Sequence, residues 1–193
     1  MKKIFLKTAL GLSSLLLLVS CGNNSSNTEK SIVDSNSNTT TADTIHNPVK
    51  MGITNEFAAN ATIGGMTEVE MGKLAQTNGG SADVKDYGKM LETDHSAANT
   101  ELASIAAAEN ITLPTAMDDE HSMHVKDMAS KNGADFDKAF IPMMIEDHEK
   151  DIAEFKKAAD SNPNQKIKDF ASKALPTLQK HLDKAKMIKS KMK

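Results

Sequence analysis

The sequence predicts an all-α protein: a four-helix bundle with a long crossover containing one short extra helix. Two observations carry that reading. From residue 54 onward the chain is built of Ala, Met, Leu, Lys and Glu with almost no β-branched or aromatic runs, a composition that favours helix throughout. The chain also echoes itself. KMLETDHSAANTEL at 89–102 and PMMIEDHEKDIAEF at 142–155 share a Met five places before a His, the Asp-His pair, a Glu six places after it and an apolar residue beyond. Such self-similarity suggests two related helix pairs.

Three units are expected, at 1–20, 21–50 and 51–193. In the first, Lys2, Lys3 and Lys7 precede the apolar run 9–19, which ends in Leu18-Val19-Ser20-Cys21. The run is short for a membrane span and a polar tract follows it, so it reads as a removed export signal. Leu-Val-Ser-Cys resembles the bacterial lipobox, in which the cysteine is acylated and becomes the mature N-terminus; a plain secreted protein with a free Cys21 thiol is the alternative. Lipid on Cys21 would tie the protein to a membrane without a spanning helix. With one cysteine in the chain, no internal disulfide can form. Residues 22–50 are mostly Asn, Ser and Thr with few apolar side chains; they cannot build a core and read as a flexible tether of about 30 Å root-mean-square span. No acidic run follows Cys21, which by resemblance to lipoproteins of this kind points to the outer membrane, facing the periplasm.

The first helix is expected over 54–77, with Thr54 as cap and Asn78-Gly79-Gly80 as stop. Ser81 caps a second helix that runs to about Glu109. Residues 110–115, with Pro114, break the chain before a short helix over 118–131, which ends at Asn132-Gly133. A fourth helix covers about 135–160. Asn162-Pro163-Asn164-Gln165 opens the last one, with Asn162 as cap, Pro163 at the first helical position and Gln165 completing a capping box. Tight turns after Thr77 and Asp160 make two antiparallel pairs. Gly64, Gly65 and Gly72 weaken the first helix, either as points of close helix approach or as fraying. Pro142 and Pro176 fall inside helices and should kink them, freeing carbonyls that could bond an imidazole.

Helical periodicity then singles out a polar set. At roughly 100° per residue, His95 shares a stripe with Val84, Leu91, Ala98 and Leu102, and His148 with Phe140, Ile141, Met144 and Ile152. Glu68 lies among Phe57, Ala61, Met71 and Ala75, and His181 among Ile167, Leu178, Leu182 and Ala185. Counted from the turns, each long helix therefore offers one inward ionisable side chain near its midpoint: Glu68, His95, His148 and His181. Three imidazoles and a carboxylate suit one transition ion, copper, zinc or iron. With Glu68 as a ligand the site is closed; with Glu68 outside the ligand set, three histidines leave a position for water or a substrate. Glu92, Asp94 and Asp151 stand near enough in sequence to orient an imidazole or to coordinate. The alternative is a set of core histidines bonded to one another, to the carboxylates and to buried water.

Methionine is the other anomaly, with twelve in the chain and no tryptophan. Met117, His121, His124 and Met128 form one face of the short helix, a set whose soft thioethers and imidazoles suit copper, although Met more often fills irregular cores. Arginine is absent, and loss of Lys2, Lys3 and Lys7 takes the formal net charge from −3 to −6. Nucleic acid is therefore not an expected partner. The lysine-rich end from Lys166 reads as a solvated face that complements the helix dipole.

The stretch FAANATIGGMTEVEMGKLA at 57–75, the segment 84–102 with Asp94-His95, Phe136-Asp137, His148 and LPTLQKH at 175–181 together resemble the exported bacterial family catalogued as domain of unknown function 4142. The resemblance spans 54–187. It implies a ferritin-like helical bundle in the cell envelope and no particular reaction; the residues matching the family motif are Glu68, Glu70, Asp94, His95, His148 and His181. Ferritin-like di-iron proteins use two Glu-x-x-His motifs. Here only Glu92-Thr93-Asp94-His95 fits, since Ile145 and Leu178 stand three residues before the other two histidines. The function expected is an envelope protein binding a transition metal for handling, sensing or stress protection. The alternatives are a metal-free structural or interaction lipoprotein and a metal-dependent oxidoreductase; no catalytic residue is singled out, and a protein partner is not specified.

Overall fold

The computed structural model describes residues 48–192; the export signal, Cys21 and almost all of the tether lie outside them. Five helices follow one another: α1 Pro48–Asn78, α2 Ala82–Glu109, α3 Asp119–Ala129, α4 Gly133–Ser161 and α5 Gln165–Lys191. There is no strand among the described residues, and no helix there is long and apolar enough to cross a membrane.

Local chemistry sets most boundaries. Ser81 caps α2, its hydroxyl oxygen accepting from the Val84 amide, and Asn110 ends that helix in the left-handed region at φ 56°. Asp118 caps α3 by accepting from the His121 amide at 2.9 Å. Two expected boundaries differ. Helix α1 begins at Pro48, a residue whose missing amide costs nothing at a first helical position. Thr54 is no cap; it is buried, and its hydroxyl donates to Asn162 Oδ1 at 3.1 Å. Asn162 in turn does not cap α5. Its carboxamide oxygen is already held by Thr54 and by the Asn164 amide, so Asn164 caps instead, accepting from Lys166 and Ile167. Pro163 therefore sits in the link, and Gln165 bonds Asp169 rather than turning back to the cap.

Helices α1 and α2 form one antiparallel hairpin and α4 and α5 the other, with α3 in the crossover between them. Gly80 at the end of α1 donates its amide to Asp137 near the start of α4, and Lys191 at the end of α5 reaches Asp83 at the start of α2. Contacting helices thus run antiparallel across both pairs. Asp137, itself buried, accepts from the amides of both Gly80 and Ser81 at 2.8 and 2.9 Å. Asn78 donates to the carbonyls of Ala129 and Lys131, so the returning crossover is held to the first turn.

Three apolar clusters fill the bundle, a layer towards each end and a smaller one of Ile152, Leu178 and Leu182. Met71, Tyr87, Leu91, Phe136, Phe140, Met144 and Ala185 pack at one end; Phe57, Leu102, Ala158, Ile167 and Phe170 pack towards the other. On every long helix the inward ionisable residue falls in sequence between its contributions to these layers.

The glycines divide. A Cβ on Gly72 would lie 2.6 Å from the Gly88 carbonyl and 2.9 Å from the Glu92 amide, and one on Gly65 would collide with Asn99 Oδ1; both are points of close approach between α1 and α2. Gly64 meets nothing within 4 Å. Gly72→Ala must push backbone from backbone, so a loss of about 2 kcal/mol is expected after the helix-propensity gain, a fall of about 4–8 °C in melting temperature. Gly64→Ala should instead stabilise by up to about 1 kcal/mol. Thermal unfolding of both variants beside the parent checks the pair.

Candidate metal centre

Midway along the bundle, between the two apolar layers, the structure brings together Glu68 from α1, His95 from α2, His148 from α4 and His181 from α5. All four are buried, and His148 and His181 are 0 % exposed. One ring nitrogen from each histidine lies within 4.8 Å of the others, forming a buried three-histidine group that could hold a metal ion.

Each ring is fixed from outside the group. His95 Nδ1 donates to Glu68 Oε2 at 2.9 Å, His148 Nδ1 to the Met144 carbonyl at 2.9 Å, and His181 Nε2 to Asp94 Oδ2 at 2.9 Å. The oxygens can only accept, so these ring nitrogens carry the protons. The opposite nitrogens face inward or stand bare. His148 Nε2 and His181 Nδ1 lie 3.2 Å apart, while His95 Nε2 and Glu68 Oε1 are buried with no hydrogen-bond partner. Glu68 Oε1 is 3.4 Å from His148 Nε2.

Burial raises the cost of charge at this depth. It pushes His148 below the usual imidazole range against the opposing pull of Glu68, and takes His181 down to about 4 despite its bond to Asp94. Burial also works to raise Glu68, but the fields of His95 and His148 with the His95 hydrogen bond outweigh it and hold the carboxyl at about 2. The neighbouring acids on α4 go the other way. Burial and then the Glu68 charge raise Asp151 to about 9 and Asp147 to about 6.

The carboxylates expected to serve the imidazoles are placed unevenly. Asp94 reaches His181 across the bundle rather than its neighbour His95, because successive residues on a helix point about 100° apart. Glu92 turns away and accepts from Gln76 at 2.7 Å. Asp151 lines a cavity beside the group. The carbonyl that holds His148 is that of Met144, four residues before it, and not the Lys138 carbonyl whose amide partner Pro142 removes.

The structure does not gather Met117, His121, His124 and Met128 on one exposed face. Met128 is packed in the core with Tyr87 and Phe136, His124 is exposed, and His121 Nδ1 is engaged by Asp118 Oδ1 at 2.7 Å. Met117 precedes the cap of α3 and so leaves the helical spiral that would have aligned it with the others.

One contributor, Tyr87, escaped the sequence reading. Tyr87 is wholly buried, its hydroxyl has no partner, and its ring stands edge-on to His181 with centroids 6.5 Å apart; burial raises its pKa far above the usual phenol value. The signal was there, since residues 87, 91 and 95 recur at a helical spacing of four.

A cavity of about 280 Å³ opens onto this centre from the side of Asp151 and Phe170, with Glu68, Asp94, His95 and His181 among its walls. No curated protein and no solved structure matches the chain. The family model described as domain of unknown function (DUF4142) matches residues 39–188, three quarters of the sequence and all four residues of the buried centre, and the chain belongs to that family.

Proposed function

We propose that this is an envelope protein that holds one transition-metal ion on His95, His148 and His181, anchored to the outer membrane through lipid on Cys21 and facing the periplasm. The observation supporting the ion is the pair His148 Nε2 and His181 Nδ1, 3.2 Å apart. Their opposite nitrogens hold the protons, and burial disfavours adding another. Two lone pairs therefore face each other in the buried centre, an arrangement that costs free energy unless a cation lies between them. Two nitrogens bound at 2.0–2.1 Å to a tetrahedral ion stand about 3.3 Å apart, so the rings are already spaced for it. His95 Nε2, buried without a partner, supplies the third ligand.

In this reading Glu68 orients His95, the Met144 carbonyl orients His148 and Asp94 orients His181, the outer hydrogen bonding that fixes tautomers at histidine metal sites. Neutral imidazoles suit copper, zinc and iron alike. The role that follows is metal handling or protection against metal stress at the cell surface layers. A competition titration of zinc against a chelator tests it: one equivalent bound by the parent, about 10–100-fold weaker binding by Asp94→Ala and none by His148→Ala. Equal affinity in all three proteins, or no binding in any, would overturn the reading.

A further inference from the structure

Resting on that metal reading, the structure assigns the side cavity a role of its own: it is a ligand subsite that admits small neutral molecules to an open coordination position and turns anions away. Three histidines leave a tetrahedral ion one ligand short, the arrangement that keeps a position for water or a guest. In this reading Glu68 serves through Oε2 to orient His95 and is not the fourth ligand. The open side is the cavity side, because His95 and His181 belong to the cavity wall and His148 does not. Two wholly buried polar atoms without partners, His95 Nε2 and Glu68 Oε1, belong to residues of the same wall.

Size and charge define the guest. About 280 Å³ is just below the range of ordinary small-molecule sites, enough for a five-membered ring or a few heavy atoms. Phe155, Phe170 and Leu178 supply apolar wall. Lys173, the lysine at the rim, is engaged by Glu101 at 2.8 Å. Glu154 makes no ion pair among the described residues, and Glu68 and Asp94 add their carboxylates to the same wall; Asp151, which keeps its proton, adds no charge. An anion would meet this acidic wall, whereas a neutral donor with an apolar body fits it. Gly64 keeps the space open: it lines the cavity, and nothing lies within 4 Å of where its Cβ would be. A side chain there enters free volume without disturbing the helix contacts that Gly65 and Gly72 make.

Cobalt(II) loaded into the full chain reports the position through its visible d–d bands, with imidazole as neutral probe and azide as anion. Imidazole is expected to shift the bands at concentrations about tenfold below those azide requires, with Glu154→Gln narrowing the gap. Gly64→Leu should keep one equivalent of cobalt and lose the imidazole response. A cobalt-loaded parent blind to imidazole, a Gly64→Leu protein that responds like the parent, or a preference for azide would each overturn the subsite while leaving the metal centre standing. A parent that takes up no cobalt overturns both.

Discussion

Zinc at a thousandfold its dissociation constant is expected to raise the melting temperature of the protein by about 8–16 °C and that of His148→Ala not at all. An ion that binds only the folded state adds about 4 kcal/mol at that excess, and for a chain of this size each kcal/mol moves the transition by about 2–4 °C. The effect is large because the ligands come from helices α2, α4 and α5, so unfolding any one of them releases the ion. His148→Ala also empties a wholly buried site and should lower the metal-free transition by itself. Asp94→Ala separates the two effects. Its side chain is about a third exposed, at 31 %, so its removal should leave the fold standing and only reduce the zinc-induced shift. Calorimetry of the three proteins with and without zinc reads both quantities.

Asp151→Asn is expected to stabilise the protein, and to do so more at pH 8 than at pH 5. The folded state holds the Asp151 proton up to about pH 9, whereas the unfolded chain releases it near 3.8. Between those values the unfolded state binds fewer protons, so stability falls as pH rises. Asparagine has no proton to hold, and its advantage grows across the same window. Partial exposure of the side chain discounts the size, leaving a gain on the order of 2 kcal/mol at pH 8. A gain independent of pH, or a loss, would contradict the placement of Asp151 against the Glu68 charge. The cost of keeping an acid there fits a group retained for the cavity rather than for the fold.

The bundle was legible because its signals are local and periodic. Ser81, Asn110 and Asp118 act through neighbouring amides, and the stripes holding His95 and His148 follow from a helical repeat. Counting residues from the turns put Glu68, His95, His148 and His181 at one height, since hairpins translate sequence distance into depth at 1.5 Å per residue. Boundaries failed where a long-range partner took over: Asn162 was lost as a cap because Thr54, more than a hundred residues away, claims its oxygen. The orienting contacts were illegible for the same reason. Nothing near Asp94 says that it serves His181 on another helix, and nothing near Glu92 says that Gln76 will hold it. On the short helix the periodic reading held for His121, His124 and Met128 but not for Met117, which lies before the cap, and the face carrying Met128 packs into the core.

The most direct test of the central claim is elemental analysis of the untagged full chain purified after export, beside His95→Ala/His148→Ala. The account predicts close to one equivalent of copper, zinc or iron in the parent and none in the double variant. A folded parent without metal, whose melting temperature no added ion changes, would contradict it and leave the buried histidines as packing elements of the bundle.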